Sequence, residues 1–213
     1  MFDADAAPGT GEALAEDPPT EGPRGANLRR VRNIALALLL VVVLGAAGVY
    51  GPTLWRVAQQ RDAKISTPER VADLQLDHRD GARETAEYVR DAVATSVKLE
   101  ESVAAVYSDT AAADRSVIFA GGSGLIWNPE EALSKVFALM SDETGGVTGV
   151  RDVRPGPLGG QVRCGSTATP EGDLPVCGWA DHGSVGIALF PNRSVDEAAE
   201  ILLRLRTATQ SRS

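Results

Sequence analysis

Hydrophobic and polar positions divide this chain into one long apolar run and a following series of short periodic segments. From Ile34 to Trp55 the chain has 22 residues without a charge, a length that spans about 33 Å as a helix. The hydrocarbon core of a bilayer is about 30 Å thick, and a helix satisfies its own backbone hydrogen bonds there. Residues 29–55 are therefore predicted to form a basic flank and a transmembrane helix.

The same run has a second interpretation as a cleaved signal peptide. Residues 34–44 have the length of a signal core, and Ala46 and Gly48 are small residues suited to a cleavage site. The run nevertheless continues to Trp55, further than a signal requires. No cysteine follows the signal core directly, as lipoprotein processing would need. We expect an uncleaved anchor in the lipid bilayer, with Tyr50 and Trp55 at the membrane interface.

After the apolar run, the spacing of apolar positions predicts three helices and six strands. The helices are expected at residues 83–98, from Pro129 after an Asn128 cap, and after the capping box that starts at Ser194. The strands are expected at residues 101–107, 116–120, 147–153, 161–166, 176–180 and 184–190. Because strands and helices do not alternate strictly, the fold class is predicted to be α+β: an antiparallel sheet packed with about three helices.

Composition divides the chain into four parts. Residues 1–28 carry six acids against one arginine, and we expect a disordered acidic tail, with a short docking peptide as the alternative. Residues 29–55 form the flank and span, and residues 56–68 a polar stalk. Residues 69–213 are near the usual size of one domain.

Charge and cysteine positions bear on the orientation in the membrane. Four basic residues lie within about 20 residues of each end of the apolar run, so the count alone does not decide. Arg29, Arg30 and Arg32 are concentrated close to its start, however, and Cys164 and Cys177 form a lone pair in the later part. Since a disulfide is favoured outside the cytosol, we expect a cytoplasmic N-terminus and an extracytoplasmic domain at the cell membrane.

The net charge of −8 is spread over both soluble parts. Binding to nucleic acid needs a concentrated basic face, so nucleic acid is not an expected partner. The expected surroundings are the lipid bilayer and an envelope protein or ligand whose identity and stoichiometry the sequence leaves open.

Cys164 and Cys177 stand on either side of a loop, each in a predicted strand. A bond between them would close a loop of a dozen residues and stabilise the fold by roughly 3 kcal/mol. A metal site is the alternative, but there is no second cysteine pair and only His78 and His182 are present. A structural disulfide is predicted, with no metal and no cofactor.

Two further clusters have a chemical interpretation beside a structural one. Asp181, His182 and Ser184 are acid, base and nucleophile types, but such close neighbours between two strands are typical of a hairpin turn. The run Gly121-Gly-Ser-Gly124 follows a strand like a phosphate loop, yet it lacks the lysine and the spacing of one. We expect it to break regular structure where backbones approach closely.

Three stretches carry a resemblance: Ala105-Val-Tyr-Ser-Asp109, Gly156-Pro-Leu-Gly-Gly160 with Cys164-Gly165, and the block from Cys177 to Gly186 that reads CGWADHGSVG. From about residue 67 to the end, the chain resembles uncharacterised single-pass membrane proteins of high-GC Gram-positive, actinobacterial type. Its 18 arginines against 3 lysines match that type of genome. The resemblance implies a membrane-tethered extracytoplasmic domain, and it implies no activity or catalytic residues.

The sequence thus predicts a non-enzymatic, membrane-anchored domain that binds a component of the cell envelope. The alternatives are an envelope hydrolase that uses residues 181–184, and a cytosol-facing regulatory domain if the orientation is reversed. No catalytic residue is expected.

Overall fold

The computed structural model describes residues 24–112, 114–140 and 146–212, and the chain divides into two compact units, Met1–Val49 and Tyr50–Ser213. The helices are α1 (Arg24–Gln60), α2 (Asp80–Ser96), α3 (Pro129–Ala138) and α4 (Val195–Thr209), with a 3-10 helix at Gly156–Leu158. The strands are β1 (Ala63–Ile65), β2 (Arg70–Val71), β3 (Leu74–Leu76), β4 (Glu101–Asp109), β5 (Val117–Ser123), β6 (Thr148–Asp152), β7 (Gln161–Thr169), β8 (Gly172–Ala180), β9 (Ser184–Leu189) and β10 (Gln210–Arg212).

Helix α1 contains the apolar run. Its segment Arg30–Gly51 has a mean hydropathy of 2.5 and is long and apolar enough to cross a membrane. The large apolar side chains of this segment are more than half exposed, as in a helix that faces lipid. The acidic tail predicted for residues 1–28 lies outside the described residues as far as position 23, and from Arg24 onward the backbone is helical.

The domain is built on an eight-stranded sheet in the order β2-β3-β4-β5-β9-β8-β7-β6, in which all neighbouring strands are antiparallel. A second, two-stranded sheet pairs β1 with β10, which joins the first and the last strand of the domain. The α+β class, the antiparallel sheet and the three packed helices are therefore confirmed.

Helices cover both faces of the sheet, because alternate side chains of its central strands are apolar on each face. On one face Val93 of α2 and Leu133 of α3 pack in a cluster with Ile187 of β9. On the other face Leu202 of α4 packs in a cluster with Trp179 of β8. All five side chains are fully buried, so the core has two halves divided by the sheet.

Both predicted helix caps are present. The side chain of Asn128 accepts a hydrogen bond from the Glu131 backbone N–H, and Pro129 occupies the first turn of α3. The side chain of Ser194 accepts from the Glu197 N–H at the start of α4. These bonds satisfy amide groups that a helix start otherwise leaves without a partner.

Gly121, Gly122 and Ser123 continue β5, so the expectation that this run breaks regular structure is wrong. The close backbone approach expected there is present. A Cβ at Gly121 would lie 2.7 Å from the Val185 oxygen, and one at Gly122 would lie 2.2 Å from the Glu101 oxygen. The glycines allow β5 to lie flat between its two neighbouring strands.

The segment predicted to be a stalk, residues 56–68, contains both helix and strand. Helix α1 continues to Gln60. After two intervening residues, β1 begins with Ala63, which is buried. The short strands β1, β2, β3 and β10 have no predicted counterpart, because runs of two or three residues show no measurable alternation.

The eight-stranded sheet has two ends, called the tether end and the cleft end. At the tether end, the C-terminus of α1 meets the β8–β9 turn, where the His182 N–H donates to the Gln60 Oε1 at 3.1 Å. At the cleft end lie the β4–β5 loop and the β9–α4 connection, held together by the ion pair of Asp109 with Arg193. The seven residues of β5 separate the two ends by about 20 Å.

Candidate functional site

A buried network of charged and polar groups surrounds Asp181 at the tether end. The Asp181 side chain has no exposed surface, and its Oδ2 accepts from Arg206, Gln210 and Arg212 at 2.7–2.8 Å. Its Oδ1 accepts from the Gly183 N–H at 2.9 Å and the Ser184 hydroxyl at 3.0 Å. Five donors therefore satisfy this carboxylate inside the fold.

Arg206 is the main counter-charge in this network. Its side chain is 1% exposed, and it also donates to the Gly159 carbonyl and the Gln210 amide oxygen, each at 2.8 Å. Its guanidinium carbon lies 5.6 Å from the Trp179 ring centroid, within range of a cation–π contact. Burial lowers the pKa of Arg206, and the neighbouring Asp181 charge opposes that shift.

The three residues with triad chemistry do not adopt triad geometry. Ser184 donates to Asp181 and accepts from the Trp179 indole N–H at 3.2 Å, while the His182 Nδ1 lies 2.9 Å from the Ile126 carbonyl oxygen. A nucleophilic serine needs a hydrogen bond to its histidine base, and none joins Ser184 to His182 here. These contacts match the hairpin-turn interpretation of Asp181-His182-Gly183.

Cys164 and Cys177 are bonded as a disulfide between facing positions of β7 and β8. Both are fully buried on the same face of the sheet as Trp179, whose ring stacks on Phe119 at a centroid distance of 5.7 Å. Gly186 lies against that ring, since a Cβ there would be 2.4 Å from it. The block from Cys177 to Gly186 thus makes core and turn contacts.

A concave site lies at the cleft end of the domain. It is a cleft of about 290 Å³, close to the lower end of the range for small-ligand sites. Its apolar side chains are Val71, Leu74 and Ile201, all buried. Its charged side chains have both signs and comprise Asp73, Asp109, Arg115, Arg193, Glu197 and Arg204.

Arg193 organises one wall of this cleft. Its side chain is 3% exposed and donates to Asp109 at 2.8 Å, to Glu197 at 2.9 Å and to the Arg115 carbonyl at 2.6 Å. Arg115 forms a further ion pair with Glu197. The Arg193 guanidinium holds the pKa of Asp109 below its usual range, helped by the Ala111 N–H, so this carboxyl group is ionised at neutral pH.

The cleft also holds groups without a partner. The buried Nε atoms of Arg115 and Arg193 have no hydrogen-bond acceptor within the described parts of the chain. On the rim, Asp73 and Arg204 are exposed and neither forms an ion pair with another described residue. Because the two Nε atoms have almost no accessible surface, the unpaired groups open to a ligand are the rim charges Asp73 and Arg204.

A shallow apolar hollow continues from the cleft along α4. It shares Val71, Ala72 and Arg204 with the cleft and adds Leu203, Thr207 and Ala208. From Glu197 to Ala208 the helix rises about 16 Å, which is the length of about five extended residues. The cleft and this hollow are together called the α4 groove below.

Sequence reasoning did not find this groove. Arg193 directly precedes the Ser194 cap, and Asp109 ends β4 within a stretch that carries the resemblance, but neither position has a spacing that indicates a binding site. The residues of the groove come from three separate segments, around positions 71–74, 109–115 and 193–208, and only the fold brings them together. The expected disulfide pair was found because its two members lie in one hairpin.

Fold and site together describe an α+β domain that follows an apolar helix and carries a groove with charges of both signs at its cleft end. No model of a known protein family matches this chain, and no curated protein sequence matches it. Within the described residues, no three His, Cys, Asp or Glu side chains come together as a set of metal ligands.

Proposed function

We propose that this protein is a membrane-anchored binding module whose domain lies outside the cytosol and takes a component of the cell envelope in the α4 groove. The helix Arg30–Gly51 is suited to anchor it, and the disulfide of Cys164 with Cys177 is stable in an oxidising compartment. The cytoplasmic side of the membrane then holds the N-terminus, with its concentrated arginines.

The cleft carries this proposal. On its rim the exposed Asp73 and Arg204 have no ion-pair partner among the described residues, and Leu74 and Ile201 line the cleft beside them. Binding sites combine such apolar surface with a few well-placed polar groups that fix the orientation of the ligand. The resemblance to actinobacterial membrane proteins supports a membrane-tethered extracytoplasmic domain.

The shape and charge of the groove favour an extended polypeptide segment as the ligand. Its apolar side chains would lie on the hollow that Val71 and Leu203 line. Asp73 and Arg204 on the rim would pair with side chains of opposite sign. A ligand with both charges is expected, because the two rim charges without an ion pair among the described residues have opposite signs.

The groove is tested by photo-crosslinking in intact cells that produce the full chain. A photoreactive residue at Ala72 should form a discrete adduct, whereas one at Tyr88, which is 79% exposed on α2, should form none. The double substitution Asp73→Ala with Arg204→Ala, at exposed rim positions, should abolish the Ala72 adduct. An adduct that survives this substitution, or none at Ala72, would contradict a ligand in the groove.

The orientation is tested separately with two fusions to the C-terminus. A phosphatase that requires export should be active there, and a fluorescent protein that folds only in the cytosol should stay dark. The reverse pattern would support the cytosol-facing alternative and exclude an extracytoplasmic domain.

A further inference from the structure

The loop between β5 and α3 presents two large apolar side chains at the tether end. Outside α1, the exposed large apolar side chains of the described residues are Tyr88, Leu125, Trp127 and Val150. Two of them, Leu125 at 44% exposure and Trp127 at 72%, lie in this loop. Single exposed apolar residues are normal, but two together beside a tether point to a contact surface.

This loop is held firmly to the β8–β9 turn. The Gly124 N–H donates to the Gly183 carbonyl at 3.1 Å, and the Ile126 N–H donates to the His182 carbonyl at 3.0 Å. Ile126 itself is buried, so its neighbours Leu125 and Trp127 are displayed by a fixed backbone. Asn128 then caps α3 and ends the loop.

The same turn binds the end of helix α1. His182 donates its N–H to Gln60 and accepts from Ile126, so a single residue separates the loop from the helix that leads to the membrane. From Trp55, an interface-type residue, to Gln60 the helix rises only about 7.5 Å. The headgroup region extends about 5–7 Å beyond the hydrocarbon core, so chain length alone keeps the loop close to the lipid headgroups.

We propose that Leu125 and Trp127 insert into the interface of the bilayer that α1 crosses, as a second contact between the domain and that membrane. Trp is favoured at the boundary between headgroups and acyl chains, because its ring is apolar and its N–H is polar. The hollow beside Trp127 is also lined by Lys98 and by Lys135, of which Lys135 pairs with Glu131 at 2.8 Å and Lys98 forms no ion pair with a described residue. Such cations complement anionic headgroups.

Tryptophan fluorescence of the full chain in vesicles tests this contact. The chain has Trp55, Trp127 and the fully buried Trp179, so Trp55→Phe leaves Trp127 as the reporter near lipid. In phosphatidylcholine–phosphatidylglycerol vesicles with brominated acyl chains, this variant should lose most of the Trp127 emission. The double variant Trp55→Phe with Trp127→Phe measures the background emission of Trp179. Bromine should not change this emission.

Tyr88→Trp in that double-variant background supplies a matched reporter on the water side. Tyr88 lies eight residues before the tether end of α2, about 12 Å along the helix. Its emission should be unaffected by bromine and should be quenched by acrylamide. If the Trp127 emission is equal in vesicles with and without brominated acyl chains, the contact is absent. If acrylamide fails to quench it while bromine also has no effect, protein covers the loop and the proposal is wrong.

Discussion

At the scale of single residues, Asp181 has the most demanding environment in the described chain. It was singled out from the sequence as a turn residue beside His182 and Ser184, and its carboxylate does bind the Gly183 N–H as such a residue should. The sequence pattern did not reveal its bond to Arg206, because that partner lies 25 positions further on, in a helix. A buried ion pair of this kind depends on tertiary structure alone.

Asp181→Asn should be strongly destabilising, because it leaves the Arg206 guanidinium buried without a counter-charge. Breaking a buried pair on one side costs about 3 to 5 kcal/mol in free energy of unfolding. Denaturant unfolding of the full chain in detergent measures this. The matched control is Asp91→Asn, whose side chain is 73% exposed in α2 and pairs only with its neighbour Arg90. Equal losses from both variants would contradict the role given to the network.

Asp77 should make the domain sensitive to acid. Hydrogen bonds from the Arg79 side chain and backbone hold the pKa of Asp77 well below its usual range, and the side chain is 5% exposed. A carboxyl group with a lowered folded-state pKa stabilises the fold above its unfolded pKa of about 4, and this contribution is lost as the pH falls further.

Thermal melting at a series of pH values between neutral and strongly acidic checks this. Asp77→Asn should lower the melting temperature at pH 7 and flatten its decline below about pH 4. Asp80→Asn, at a side chain 95% exposed, should keep the wild-type decline. Identical pH profiles for wild type and Asp77→Asn would show that the lowered pKa does not contribute.

At the scale of elements, sequence patterns identified what is long and periodic. The amphipathic stripes found α2, α3 and α4, and the capping residues fixed where the latter two begin. The patterns failed at Gly121 and Gly122, where glycine serves strand packing. They also missed β1, since its three residues gain their partner, β10, only from the far end of the chain.

The disulfide of β7 and β8 should contribute measurably to stability. Cys164→Ser should lower the free energy of unfolding by roughly 3 kcal/mol, as expected for a loop of about a dozen residues, and leave Cys177 as a thiol. Since both cysteines are fully buried, labelling must follow rapid denaturation without reductant. The wild-type chain from native membranes should then take up no label, and the variant one. Two labelled thiols in the wild type would favour the cytosolic orientation.

The packing of the α1 terminus against the β8–β9 turn should tolerate no side chain at Gly183. A Cβ there would lie 1.7 Å from the Gln60 carbonyl oxygen, so Gly183→Ala should separate the two. Trypsin should then cut faster at the exposed Arg61. Gly81→Ala is the control, because nothing lies within 4 Å and a helix gains about 0.5–1 kcal/mol from this change. Unchanged proteolysis of Gly183→Ala would contradict the contact.

At the scale of the whole molecule, the sequence predicted the α+β class and the order of the helices and of the six longer strands. It missed the groove. The fold class follows from the local periodicity of apolar positions, which can be read from the sequence without knowledge of the fold. The groove forms because the fold brings Asp109, Arg193 and Arg204 close to Val71 and Leu74 at the cleft end of the sheet. That meeting requires strand order, and strand order is set by contacts far apart in sequence.

The pairing of β1 with β10 also determines how the domain would respond to mechanical force. A load applied through the tether would reach β1 first, because β1 begins three residues after α1 ends. Strand β1 is held there by three facing pairs with β10, Ala63 with Arg212 among them, whose backbone hydrogen bonds would share the load. Arg212 in turn binds Asp181 and the Leu158 carbonyl, so tension on the tether would pass into the buried ion network.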